Sequence, residues 1–62
     1  MNIPDDIKKK MKEQRLKQYQ QQMFALQMDI AALEAIGDTE RVKEAYKALE
    51  DVKKAYKAVE AL

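Results

Sequence analysis

Cysteine, histidine, serine and tryptophan are all missing from this 62-residue chain, and glycine and proline occur once each, as Gly37 and Pro4. Without cysteine there is no disulfide framework and no thiol chemistry. Without histidine the usual zinc-ligand sets and the ordinary neutral-pH proton shuttle go as well. With serine also lacking, Thr39 is the sole aliphatic hydroxyl, and it stands where a helix is expected to begin rather than beside a base, so no nucleophile triad can be assembled. Carboxylates alone remain for acid-base work. Asp29, Glu34, Asp38 and Glu40 cluster in sequence, but two helices offer no walled pocket in which to shift their ionisation. The expectation is a chain that is not an enzyme. No cofactor or metal is expected either, because there is neither an EF-hand loop nor the Glu-x-x-His pairs used by di-iron bundles.

Long apolar runs are equally absent, and 37% of residues are charged, which leaves no segment able to span a bilayer. The start does not read as a signal peptide, since Asp5 and Asp6 precede the lysines and no apolar stretch follows them. A soluble, cytoplasmic chain with no membrane partner is the expectation. In size and style it resembles small phage and mobile-element proteins, a likeness that rests on no motif.

What the chain has in quantity is helix-forming sequence, interrupted once. Pro4 suits the first helical position, and Asp5 and Asp6 suit the positive end of the helix dipole. Nothing breaks the pattern until Gly37, which fits the left-handed residue that closes a helix. Asp38 follows as an N-cap, with Glu40 in the next first turn. The fold class predicted is all-α, a single antiparallel two-helix hairpin of coiled-coil type. Helix 1 is expected over about 4–36, the turn at Gly37-Asp38, and helix 2 over about 39–61.

Leu16, Tyr19, Met23, Leu26, Ile30 and Leu33 recur at alternating spacings of three and four, as do Val42, Ala45, Leu49, Val52, Tyr56 and Val59. These are a/d seams, one per arm, and they predict the hairpin core. Residues 42–51 and 52–61 match at seven of ten positions, yet Tyr46 and Tyr56 cannot share a line of the seam, because ten residues are not a whole number of ~3.6-residue turns. Two copies are too few for a solenoid, so the repeat reads as duplication of a good helical segment.

The hairpin leaves apolar residues over. A turn at Gly37 pairs positions summing to about 75, so residues before Glu13 have no partner within the chain. Ile3, Ile7 and Met11 nevertheless form an i, i+4, i+8 stripe. Nearer the turn, Phe24, Met28, Ala31 and Ala35 share a face roughly 100° or more from the seam. A helix that meets one partner needs one stripe, and two stripes imply a bundle of more than two helices. Charge adds direction: residues 1–20 carry +3, 21–40 carry −4 and 41–62 carry +2. Two hairpins with tips at opposite ends would set each acidic tip beside the other's basic end, which favours an antiparallel four-helix dimer.

The leading functional expectation is therefore a non-catalytic structural or protein-interaction module: a homo-oligomeric helical hairpin, a dimer in preference to larger forms, with an adaptor that docks another protein as one version of it. Its interface residues would be Ile7, Met11, Phe24, Met28, Ala31 and Ala35. The alternative is a nucleic-acid-binding protein using the basic part of helix 1, through Lys8, Lys9, Lys10, Lys12, Arg15 and Lys17. Against it stand a net charge of only +1, the interspersed Asp5, Asp6 and Glu13, and the lack of an aromatic stacking platform.

Overall fold

A computed structural model describes residues 2–62. It is an antiparallel hairpin of two helices, α1 (Asp5–Ala35) and α2 (Thr39–Glu60), packed against each other. The molecule measures 52 × 15 × 14 Å, and its radius of gyration is 15.3 Å, against about 11 Å for a compact domain of this length.

The start of α1 differs from the sequence reading by one residue. Pro4 is not the first helical residue but the one flanking it, with φ −56° and an extended ψ of 143°. Its side chain has no oxygen with which to cap. Its carbonyl instead accepts from the Ile7 and Lys8 amides at 3.2 and 3.1 Å, while Asp5 and Asp6 supply first-turn negative charge.

The turn is built almost entirely from backbone. Ile36 keeps right-handed helical geometry at φ −94°, ψ 0°, and Gly37 swings to φ +75°. The Asp38 amide then donates to the Leu33 carbonyl at 3.0 Å, and the Gly37 amide to Glu34 at 3.1 Å. This pair of bonds is the Schellman closure, which satisfies carbonyls that the helix end would otherwise leave open. Asp38, at φ −82°, ψ 79°, makes an inverse γ-turn in which the Thr39 amide donates back to the Gly37 carbonyl at 3.0 Å. The same Asp38 caps α2: its Oδ1 accepts from the Arg41 amide at 3.2 Å, and its Oδ2 lies 3.5 Å from Arg41 Nε.

The seam residues expected from the spacing all turn inward. Ile30, Ala45 and Leu49 form the core, and Met23, Leu26 and Leu33 pack against it. Leu16, Tyr19, Val42, Val52, Tyr56 and Val59 are half-buried, as are Ala48 and Ala55 on the flank of α2. The core is thin, and among the described residues no side chain is fully enclosed. Its centre lies toward the turn rather than midway along the hairpin.

Candidate interaction surface

The two helices distribute their apolar residues differently. Those of α2 are concentrated on the face toward α1, whereas those of α1 are spread around its circumference. Phe24 and Met28 accordingly stand 60% and 54% exposed, and Ile3, Ile7 and Met11 are 52%, 46% and 61% exposed. Ala31 and Ala35 are exposed as well. The hairpin thus leaves solvent-facing every residue that the sequence marks as a candidate interface. It does not bring them into one cluster: Phe24, Met28, Ala31 and Ala35 lie near the turn, and Ile7 and Met11 near the open end.

At that open end α1 runs on past the end of α2. The resulting groove, of about 620 Å³, is floored by Ile3, Met11, Val59 and Leu62 and bordered by Lys8, Lys9, Lys12 and Arg15. Lys10 and Lys17 are separated from these four and line a smaller depression with Glu13 and Gln14. The six cations of the basic segment are therefore split between two surfaces. Lys12 differs from the rest in being half-buried. It continues the seam spacing one step back from Leu16, which turns its stem inward where α2 gives out.

Ion pairing follows the same division. Three pairs are found among the described residues, Asp38–Arg41, Glu40–Lys43 and Glu50–Lys53, and all lie within α2 and its N-cap at i, i+3. The cations of α1 take part in none of them. Near the turn, Asp29, Arg41 and Glu44 border a shallow depression of about 500 Å³ over Ala32, Leu33 and Ala45. No three acidic side chains among the described residues converge on a metal-binding position. No described helix is long and apolar enough to cross a membrane.

Comparison with protein families, curated proteins and solved structures finds no match to this chain.

Three large exposed apolar residues escaped the periodicity: Ile36, 74% exposed, Tyr46, 50% exposed, and the terminal Leu62, 89% exposed. Ile36 lies immediately before Gly37, where the reversal carries it outside both seams. Tyr46 sits one residue past the seam position Ala45, so it projects from the flank of α2.

Proposed function

We propose that the chain is a non-catalytic interaction module, a helical hairpin that associates with copies of itself, a four-helix dimer being the smallest assembly that covers its exposed apolar face. The observation that supports this most directly is the surface left over after folding. The folded chain exposes 5292 Å², about half of the roughly 10,400 Å² expected for the unfolded chain, whereas a domain of this size ordinarily hides about 60%. The shortfall is about 1,000 Å² per chain, close to the ~800 Å² that each partner contributes to a standard protein–protein interface. Exposed Phe24 and Met28 give that missing interface an apolar centre.

Light scattering on the untagged protein tests the proposal. A dimer or larger species at micromolar concentration is the expected result, and a folded monomer at the highest attainable concentration would refute it. An adaptor that docks a different protein through the same face is the finer form of this reading, and it would show as dimer dissociation when that protein is added.

A second reading has its own support in the cations of α1, which form none of the ion pairs found within the hairpin. Phosphate binding by Lys8, Lys9 and Lys12 with Arg15, which border one groove, needs little more than such a patch. It would appear as duplex binding that falls steeply with salt and is lost when the three lysines are replaced by glutamine.

A further inference from the structure

The cations at the start of α1 are arranged about an apolar ridge. At about 100° of rotation per residue, Ile7 and Met11 fall on one line of the helix. Arg15, Lys8 and Lys12 follow at about 60°, 80° and 120° to one side of that line, and Lys10 and Lys17 at about 80° and 100° to the other. The structure keeps the two rows apart: Lys8, Lys12 and Arg15 border the groove at the end of α2, and Lys10 and Lys17 line the separate smaller depression. Lys8, Lys10, Arg15 and Lys17 are exposed, and Lys12 is half-buried. Asp5, Asp6 and Glu13 stand about 120–140° from the ridge, and Lys9 lies opposite it.

Exposed apolar side chains between two rows of cations, with the carboxylates turned to the back, suit a helix that lies in the interface of an anionic bilayer. We propose that the segment of the chain from Ile3 to Lys17 docks on a membrane surface containing anionic phospholipid. Ile3, Ile7 and Met11, which are 52%, 46% and 61% exposed, enter the boundary between headgroups and acyl chains. The lysine and arginine stems beside them carry their charges outward to the lipid phosphates. Leu62, which lines the same groove and is 89% exposed, widens the apolar contact on the side of α2. The expectation of no membrane partner rests on the lack of a spanning segment, and lying on a bilayer requires none.

Charge and apolar surface together favour this partner over the others. A nucleic-acid duplex offers phosphates without an apolar phase, so it would meet the cations and leave the Ile7–Met11 ridge in water. Contact between the ridges of two copies would bring their flanking lysines together, which is repulsive. Self-association is better served by Phe24 and Met28, since residues 18–28 carry no charge, and docking on lipid goes beyond that reading by using the other end of the hairpin. The line of the ridge also continues toward the turn through Gln14, Gln18, Gln22 and Ala25, and its first carboxylate is Asp29. The basic end of the rod can therefore lie along an anionic surface with no negative charge on that line to oppose it.

Vesicle sedimentation with the full 62-residue chain tests the proposal, using phosphatidylcholine alone and phosphatidylcholine with about one-third phosphatidylserine. Sedimentation with the mixed vesicles and not with the neutral ones is expected. Lys10→Gln combined with Lys17→Gln should weaken partitioning about 25-fold, at about fivefold per cation, and leave any duplex binding through the groove cations unchanged. Ile7→Gln combined with Met11→Gln, both at exposed positions, should weaken it about tenfold or more. Circular dichroism establishes that each variant stays helical, and if the second pair does not, the lysine pair decides. A chain that fails to sediment with the mixed vesicles would overturn the proposal. So would vesicle binding that survives Ile7→Gln with Met11→Gln, because charge alone would then adsorb the chain. Equal loss of duplex and vesicle binding in the lysine pair would mean a general phosphate patch, and loss of self-association in the Ile7 and Met11 pair would assign the ridge to a second copy; either result overturns the lipid contact.

Discussion

Gly37 reverses the chain at φ +75°, and a Cβ built there would meet nothing within 4 Å. Its requirement is therefore conformational and not one of space. Gly37→Ala should cost about 1–2 kcal/mol, the penalty of holding an L-residue in the left-handed region, and Gly37→Asn should cost less, because asparagine tolerates that region better. Urea denaturation of the two variants beside the parent checks the order, and an alanine variant as stable as the parent would remove the argument. Asp38, the next residue, acts through its side chain. Asp38→Ala should lose about 1 kcal/mol of hairpin stability with the N-cap bond to the Arg41 amide, while Asp38→Asn, which keeps an accepting oxygen, should lose little of it. Both effects belong to the turn and should appear unchanged in dilute and concentrated protein.

The helices differ in what a substitution along them should do. Leu49 of α2 is 6% exposed and belongs to the core, so Leu49→Ala should cost roughly 3 kcal/mol, as buried leucine truncations do. In a hairpin whose buried residues, among those described, are Ile30, Ala45 and Leu49, that loss should collapse the helical signal. Phe24 of α1 is 60% exposed and should behave oppositely. Phe24→Glu is expected to leave helix content intact while abolishing the rise of melting temperature with protein concentration that self-association gives the parent. A variant whose melting stays concentration-dependent would remove Phe24 from the interface. The seams of both helices were legible in the sequence because the spacing of three and four persists without a slip from Leu16 to Leu33 and from Val42 to Val59. The turn was legible because Gly37 and Asp38 each have a distinct backbone task. Less legible was Pro4, whose fixed φ suits the first helical position and the residue before it equally, so that only its ψ distinguishes them. The inward set of Lys12 was missed because its charge drew attention and its place one step behind Leu16 did not.

At the scale of the whole molecule the governing facts are a 52 Å length and an uneven charge along it. With the acidic third at the tip and the basic thirds toward the open end, association of two copies in opposite directions should weaken as salt rises from about 50 mM to 0.5 M, since screening over the ~3–10 Å Debye lengths typical at 0.1–1 M removes the attraction between unlike ends. Sedimentation equilibrium across that range measures it, and a salt-independent dissociation constant would leave only the apolar part of the interface. The position of the core has a further consequence, one of time rather than shape. Ile30, Ala45 and Leu49 lie 15 to 19 residues apart across the turn, while Leu16 and Val59 are 43 residues apart. The cheapest loop to close is the one at Gly37, and each later contact is brought near by the one before it. The chain should therefore zip from the turn outward, quickly, as proteins dominated by local contacts do. Unfolding should run the other way, with amide exchange fastest in the overhanging first turns of α1 and slowest around Ile30 and Leu49.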